Sequence, residues 1–501
     1  MTDHVTVRLS TGAVRGLRFD GHLSFRGIPY AAPPVGDRRW RSPAPVAPWS
    51  GVRDATEPGN PAPQVAQSFA DVTSVDEDCL TLDVTVPAAA RAGRPVVVWL
   101  HGGGGTNGTA ATSDPRRLAV TGDVVVVAPN FRLGVLGCFG YPGLPDGGTF
   151  GLLDQQAALR WVQREITRFG GDPANVTLVG ESYGALTIAA HLVSPTSAGL
   201  FHRAVLQSAF GVMGPTPAHT FIPGVPTLPP MWSPAAELER LGAATAAEHG
   251  WITPGSDPGS ALAQLRRVPV EDLLQSSAAF IRPAFGGPTL PESPAEALPA
   301  GRFHRVPLVL GATRDEARFF VGLFADVAGH PVTAESYPRL LAEAFGDAAD
   351  EVATRYPLDH FPTPSLAWAQ VCTDRAWARP AWDLGRALAA HTRTWFYEFA
   401  DQDAPPLVPL PGFPTGAQHS SELVYLFDFP GGPSLSAAQR ELADRMRRYW
   451  AAFATHGDPA HADLPAWPDF GAGHVQSLAP DRIGGTDYRT DHCLDFWARM
   501  P

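Results

Sequence analysis

The stretch Asn175-Val-Thr-Leu-Val-Gly-Glu-Ser-Tyr-Gly-Ala-Leu-Thr-Ile-Ala-Ala-His191 passes from a short β-branched run, through a Gly-x-Ser-x-Gly turn, into an apolar helix pattern. A strand that turns sharply into a helix holds its serine in a strained conformation with the hydroxyl exposed, and flanking glycines avoid clashes across the turn. This motif occurs once in the chain. Its context favours Ser182 as a nucleophile, with an ordinary tight turn as the alternative.

The patterns around this stretch are those of an α/β protein. Two continuous apolar runs, 96–101 and 124–130, predict strands buried on both faces of a parallel sheet. A helix is expected at about 154–168, where apolar residues recur at i, i+3 and i+4, and further strands are expected at 204–208, 307–311 and 394–399. The alternation predicts a mostly parallel central sheet flanked by helices.

The rest of the chain predicts insertions rather than separate domains. Helical patterns dominate 234–300 and 336–391, and we expect one domain over 1–501 with helical insertions at about 213–300 and 336–391. The proline-rich segment 213–233 predicts a long loop, which lies either near the mouth of the site or elsewhere on the surface.

Composition restricts the class of partner. The chain of 501 residues is 44% apolar and 18% charged, as expected of a globular protein with a large core. Its net charge of -12 disfavours binding to nucleic acid or to an anionic membrane surface. No apolar run reaches membrane-spanning length, and the first residues lack a signal-peptide pattern, so a cytoplasmic location is expected.

Missing residue types exclude several mechanisms. All 38 basic residues are arginine, so the chain has no lysine for a Ser-Lys dyad, a Schiff base or a phosphate-binding P-loop. No H-E-x-x-H or C-x-x-C occurs, and we expect no metal and no cofactor. The cysteines are far apart, which argues against a disulfide framework: Cys79, Cys138, Cys372 and Cys493.

A serine nucleophile needs a base, an acid that orients the base, and donors for the oxyanion. The run His101-Gly-Gly-Gly-Gly105 ends a predicted strand, where an oxyanion-hole loop is expected, although a flexible turn is the alternative. Spacing alone selects neither partner. Asp315 adjoins Glu316, and several histidines lie within range: His304, His330, His360, His391 and His419.

The ordered motifs resemble those of the type B carboxylesterase, or cholinesterase-like, family of α/β hydrolases, here as a bacterial member. The resemblance runs from Gly12 to Trp497 and rests on segments 27–36, 77–82, 101–105, 130–134, 151–155, 169–173 and 180–182. It implies the α/β-hydrolase fold and hydrolysis of small-molecule carboxylic esters through an acyl-enzyme.

The resemblance also implies the site. Ser182 is the nucleophile, Glu316 of Gly311-Ala-Thr-Arg-Asp-Glu316 the acid, and His419 of His419-Ser-Ser-Glu-Leu423 the base, with Asp315 as a minor alternative acid. Their chain order is that expected for this fold. The backbone N–H groups of the oxyanion hole come from Gly103, Gly104 and Tyr183.

Some positions depart from the family pattern. Tyr183 replaces the usual alanine after the serine, and Gly105 stands where an aromatic residue is frequent, so the shape of the pocket does not follow from the resemblance. No cysteine precedes Cys79, which agrees with a reducing compartment. No tryptophan lies between Trp49 and Cys79 to bind choline, which argues against a choline-specific enzyme.

Two other functions are compatible with this fold. A serine peptidase or amidase would use the same residues on amides, and a non-catalytic cholinesterase-like binding module would typically lack one of the three. All three positions are filled here. We expect a monomer or a weak homo-oligomer.

Overall fold

The computed structural model describes residues 3–214 and 231–500. Its strands are β1 (Asp3–Arg8), β2 (Ala13–Arg18), β3 (His22–Pro29), β4 (Val52–Asp54), β5 (Thr81–Pro87), β6 (Arg94–Leu100), β7 (Val125–Pro129), β8 (Gly171–Glu181), β9 (Arg203–Gln207), β10 (Ser233–Pro234), β11 (Ala284–Phe285), β12 (Leu308–Thr313), β13 (Thr394–Phe399), β14 (Gln476–Ala479) and β15 (Arg482–Gly485).

The helices follow the same chain order. They are α1 (Arg116–Gly122), α2 (Gly134–Cys138), α3 (Phe150–Glu165), α4 (Tyr183–Val193), α5 (Ala235–Glu248), α6 (Pro258–Leu265), α7 (Val270–Leu274), α8 (Pro294–Ala297), α9 (Glu316–Val321), α10 (Ser336–Phe345), α11 (Ala349–Arg355), α12 (Pro364–Thr373), α13 (Arg379–Ala389), α14 (Leu423–Leu426), α15 (Ala437–His456), α16 (Tyr488–Asp491) and α17 (Leu494–Trp497).

One large mixed sheet forms the centre, in the order β1-β2-β3-β5-β7-β6-β8-β9-β12-β13-β14-β15, with β4 beside β2. The strands from β7 to β14 in this order run parallel, whereas β1, β2, β3 and β5 on one side and β15 on the other pair antiparallel. The predicted mostly parallel sheet flanked by helices is confirmed.

Alternate residues of the central strands face two different helical layers. Val96 and Val98 of β6 pack in the cluster that contains residues of α3, α4 and α13, while Val97 and Trp99 pack with residues of α15. All residues of β6 and β7 are buried, as their continuous apolar runs predict. Each buried valine or leucine side chain of these strands stabilises the fold by about 1.5–3 kcal/mol.

The predicted elements form, with shifted boundaries. The helix expected from residue 154 begins at Phe150, because the side chains of Phe150 and Leu152 are buried in two different apolar clusters and add a turn at its start. Strand β8 begins at Gly171, ahead of the apolar run that starts at Val176. Helices α5–α8 and α10–α13 lie in the two segments expected to be helical.

Most of the proline-rich segment 213–233 falls outside the described residues, so the loop predicted there stays a prediction. Its two described ends, Met213 and Met231, pack against the cluster around α3 and α4.

The four cysteines are unpaired. Cys79, Cys138 and Cys372 are buried, whereas Cys493 is partly exposed. Among the helices of the described residues, none combines the length and the apolar character needed to cross a membrane.

Candidate active site

Ser182 occupies the turn between β8 and α4, with φ 53° and ψ -118°. A non-glycine residue in this conformation stores strain of about 1–3 kcal/mol. Two backbone hydrogen bonds hold the turn: the N–H of Ser182 donates to Gln207 O (2.9 Å), and Leu186 N–H donates to Ser182 O (3.0 Å). The carboxyl end of β9 therefore fixes the position of the serine.

The two glycines of the motif allow a close backbone approach. A Cβ on Gly184 would lie 2.0 Å from Leu100 O at the end of β6, and one on Gly180 would lie 2.7 Å from Gly184 C. No real Cβ tolerates such distances, so both positions require glycine. This agrees with the strand-turn-helix interpretation of the motif.

The glycine run lies beside the serine at the carboxyl end of β6. Gly103, Gly104 and Gly105 have φ values of 104°, 64° and 77°, which L-residues with side chains rarely adopt. Thr106 N and Asn107 N both donate to Gly103 O, which closes the loop. Within residues 3–214 and 231–500, the N–H groups of Gly103, Gly104 and Tyr183 have no protein acceptor, so they remain available to a ligand anion.

His101 anchors the start of this loop. Its ring stacks on Phe131, with centroids 4.4 Å apart, and its Nδ1 lies 2.9 Å from Gly102 O. Burial lowers the pKa of His101 to about 4, so the ring is neutral at pH 7. His101 therefore supports the backbone without adding a charge near the serine.

Glu316 and His419 form a direct pair. Glu316 is the first residue of α9, just after β12, and its Oε2 lies 2.5 Å from His419 Nδ1. Its other oxygen accepts a hydrogen bond from Thr313 N–H (2.9 Å). Both side chains are buried. The carboxylate is thus held in place and orients the imidazole.

Asp315, the alternative acid, has different partners. One of its oxygens lies 2.9 Å from Arg318, and the other accepts hydrogen bonds from Gln402 Nε2 and from Ala417 N–H. Asp315 therefore holds the loop that precedes His419 in place, while Glu316 contacts the imidazole.

Two of the other candidate histidines are also engaged elsewhere. His304 Nε2 lies 2.7 Å from Ser194 O at the end of α4, and His391 packs edge-on against Phe303. Of the candidate bases, His419 is the one that the structure places beside a buried acid and next to the serine turn.

A second carboxylate contacts His419 from the side of the serine. Glu181 Oε1 lies 3.2 Å from His419 Nε2 and accepts a hydrogen bond from Ser420 Oγ (2.6 Å). Gly102 lies close to both Glu181 and Ser182, since a Cβ on Gly102 would lie 2.6 Å from Glu181 Oε2 and 3.1 Å from Ser182 Cβ. Glu181 therefore occupies the Nε2 side of the imidazole, and within residues 3–214 and 231–500 the Ser182 hydroxyl makes no hydrogen bond to His419.

The roles of Glu181 and Ser420 were missed by the reasoning from sequence. Glu181 sits next to the serine in the motif, and this adjacency is the signal that could have drawn attention to it. Ser420 has φ 68°, a conformation typical of glycine, and only the fold shows its hydroxyl pointing at Glu181.

The charges around His419 favour its protonated form. Burial alone lowers the pKa of His419, but the carboxylates of Glu181 and Glu316 outweigh this effect and raise it to about 9. The ring is further enclosed by aromatic side chains, with centroid distances of 5.2 to 6.2 Å to Phe319, Phe320 and Trp377.

Glu422 and Asp374 form their polar contacts with residues other than Ser182 and His419. Glu422 Oε1 accepts a hydrogen bond from Gln207 Nε2, and Trp450 Nε1 donates to Gln207 Oε1. Burial and the charges of Glu181 and Glu316 raise the pKa of Glu422 to about 8. Asp374 instead contacts His492.

Comparison with known proteins identifies the family. A model described as "Carboxylesterase family" matches residues 3–497. The chain is 32% identical to a pyrethroid hydrolase of Rattus norvegicus, covering 91% of this chain and 83% of the relative. It is 33% identical to an acylcarnitine hydrolase of Mus musculus, with 89% and 81% covered.

A bacterial relative matches over nearly its whole length. The chain is 32% identical to the para-nitrobenzyl esterase of Bacillus subtilis, and the match covers 93% of each chain. The chain therefore belongs to the carboxylesterase family: it is an α/β hydrolase that hydrolyses carboxylic esters.

Proposed function

We propose that the chain is a serine carboxylesterase in which Ser182 is the nucleophile, His419 the general base, and Glu316 the acid that orients it. The observation that carries the proposal is the 2.5 Å contact between Glu316 Oε2 and His419 Nδ1 beside the strained turn of Ser182. A fixed acid, an imidazole and a half-buried serine hydroxyl match the groups that acyl transfer requires.

The reaction proceeds in two stages. His419 takes the proton of Ser182, the Oγ attacks the ester carbonyl, and the N–H groups of Gly103, Gly104 and Tyr183 stabilise the resulting oxyanion. The imidazolium then gives its proton to the departing alcohol. Water repeats the sequence on the acyl-enzyme and releases the acid.

The absence of lysine supports this assignment over other serine mechanisms, because a Ser-Lys dyad cannot form. Glu316 keeps the imidazole in one tautomer and stabilises its charged form. No step of this mechanism requires a metal or a cofactor. We propose a small-molecule ester as substrate, with neither nucleic acid nor a membrane as partner.

We also propose that the protein works in the cytoplasm as a monomer or a weak homo-oligomer. Four unpaired cysteines, three of them buried, agree with a reducing compartment. The net charge of -12 supports repulsion between copies at low ionic strength.

The test is steady-state hydrolysis of p-nitrophenyl esters from acetate to laurate by the wild type and Ser182→Ala. We expect the substitution to lower kcat by about 10⁴-fold or more, and His419→Ala to do the same, because the residues act as a unit. The best acyl length in this series measures the acyl pocket.

A Ser182→Ala variant that keeps a tenth of the wild-type rate would overturn the assignment of the nucleophile. A matched p-nitroanilide series separates an esterase from an amidase. Faster turnover of the anilides would make the amidase the better description.

A further inference from the structure

The side chain of Tyr183 lies against the glycine loop that carries the other two proposed oxyanion donors. A Cβ built on Gly105 would lie 2.7 Å from Cε2 and 2.9 Å from Cζ of the Tyr183 ring. The ring therefore occupies the space that a side chain at residue 105 would need. Gly105 also has φ 77°, so any substitution there adds backbone strain.

The far end of the Tyr183 side chain is also held. Its hydroxyl lies 3.7 Å from the thiol of Cys138, the last residue of α2, and both side chains are buried. Burial and the neighbouring Cys138 raise the pKa of Tyr183 well above its usual value, so the hydroxyl keeps its proton.

Helix α2 is also hydrogen-bonded to the glycine loop. Gly134, its first residue, donates its N–H to Gly105 O at 2.7 Å. Gly134 is itself confined, because a Cβ there would lie 2.5 Å from Ser277 Oγ. Helix α2 thus contacts both partners: its first residue is hydrogen-bonded to Gly105, and its last residue, Cys138, contacts the Tyr183 hydroxyl. The Tyr183 ring in turn lies against Gly105.

We propose that Tyr183 is a positioning residue for the oxyanion hole: its ring, held between Gly105 and Cys138, fixes the glycine loop relative to the backbone N–H of Tyr183 itself. One residue thus supplies a donor through its backbone and aligns the other two donors through its side chain. The inference rests on the proposed function, because it assumes that the hole is built from Gly103, Gly104 and Tyr183.

The first test compares Tyr183→Ala with Tyr183→Phe on one p-nitrophenyl ester. Every variant keeps the backbone N–H, so a difference reports on the side chain alone. We expect Tyr183→Ala to lower kcat by about 10²-fold with little change in KM, because displacement of donors by roughly 1 Å affects mainly the transition state. Tyr183→Phe retains the ring and stays within about threefold of the wild type, as expected for loss of a weak contact.

A transition-state mimic separates alignment of donors from a general loss of structure. When Ser182 Oγ adds to the carbonyl carbon of a trifluoromethyl ketone, its proton passes to His419 and the former carbonyl oxygen becomes an oxyanion in the hole. We expect Tyr183→Ala to weaken its inhibition by the same factor as it lowers kcat/KM, since both measure oxyanion stabilisation. Unchanged ketone affinity would overturn the inference.

The partner glycine provides an independent test. Gly105→Ala forces the ring and the loop apart, and we expect it to lower kcat as Tyr183→Ala does. In the double variant Gly105→Ala/Tyr183→Ala the clash is absent, so the two losses do not multiply. Losses in kcat that multiply fully would contradict the proposed contact between the Tyr183 ring and Gly105.

Controls address folding. Tyr337→Ala removes a buried tyrosine of α10, whose hydroxyl donates to Tyr356 O, and we expect it to lower the melting temperature without the loss in kcat. If Tyr183→Ala does not fold, Tyr183→Leu keeps much of the volume without the planar ring, and we expect the same loss in kcat. A Tyr183→Leu variant with wild-type kcat would overturn the inference.

Labelling distinguishes failure of the inference from failure of the proposed function. A fluorophosphonate should modify Ser182 in the wild type and in every folded Tyr183 variant, as located by peptide mass spectrometry. No label on Ser182 in the wild type would refute the proposed function. Label on Ser182 together with a wild-type kcat in Tyr183→Ala would refute the inference alone.

Discussion

At the scale of single residues, the position of His419 between two carboxylates decides how the site responds to pH. Glu316 contacts Nδ1 at 2.5 Å and Glu181 contacts Nε2 at 3.2 Å. As the proposed general base, His419 must be neutral to accept the Ser182 proton, whereas these carboxylates stabilise its charged form and raise its pKa to about 9. The rate should therefore rise with pH over a range above the ordinary histidine value of 6.5.

Replacing Glu181 by glutamine should shift the pH range over which the rate rises. The substitution keeps the shape but removes one negative charge next to Nε2, so the pKa of His419 falls. We expect the acid limb of kcat/KM against pH to shift to lower pH in Glu181→Gln. The exposed Glu351→Gln is the matched control and should leave the limb in place. A limb that stays fixed or moves to higher pH in Glu181→Gln would disprove the role given to Glu181.

The predictability of the site differs from residue to residue. The serine turn carries its own signal, because a Cβ on either of its glycines would lie only 2.0 or 2.7 Å from neighbouring backbone atoms. His419 and Glu316 were selected by resemblance, since their pairing joins positions 103 residues apart. The Ser420 hydroxyl on Glu181 could not be predicted, because a serine with φ 68° gives no pattern in sequence.

At the scale of elements, a buried ionic cluster ties the end of the chain to the sheet. His492, between α16 and α17, lies 2.6 Å from Asp374 and 2.7 Å from Glu398 of β13. Burial lowers the pKa of His492, but the two carboxylates more than offset this and raise it to about 10. Tyr356 also donates a hydrogen bond to Asp374. The imidazolium therefore joins the C-terminal helices to β13 and to the π-helical segment Asp374–Ala378 that follows α12.

We expect His492→Gln to destabilise the fold by about 3–5 kcal/mol at neutral pH, because it leaves the buried carboxylate of Asp374 without its salt-bridge partner and that of Glu398 with Arg314 alone. A pKa raised on folding gives stability that is complete below about 6.5 and disappears as the pH approaches about 10. The difference between wild type and variant in the free energy of unfolding, measured with urea, should therefore shrink as the pH rises from about 6.5 to about 10. Replacement of the exposed His330 by glutamine should leave the free energy of unfolding unchanged. A loss of stability in His492→Gln that does not depend on pH would contradict the role of the charged imidazole.

Elements with strong patterns were predicted, and those with mixed patterns were missed. The apolar runs of β6 and β7 stand out because both faces of these strands are buried. Helix α15 was missed, although its capping box of Ser436 and Gln439 is visible in the sequence. The short strands β14 and β15 have too few residues for a periodic signal. The division into one domain with insertions stays a prediction.

At the scale of the whole molecule, the parallel order of the strands gathers the site. The chain leaves β6, β8 and β12 at their carboxyl ends into the glycine loop, the serine turn and Glu316, respectively. Ligand sites of open α/β sheets lie at that edge. The antiparallel strands at both margins contribute none of the proposed catalytic residues. Long-range topology therefore brings together residues that are far apart in sequence.

The buried thiols and the absence of lysine have a consequence for chemical modification. Activated esters commonly acylate lysine amines and exposed thiols, but this chain has no lysine, and three of its four cysteines are buried. Arginine stays protonated and does not react in this way. With p-nitrophenyl acetate we expect the initial burst to equal one acetyl group per chain, with no background from Ser182→Ala. Reagents aimed at lysine would leave nearly the whole surface unmodified, so attachment to amine-reactive supports would proceed through the terminal amino group alone.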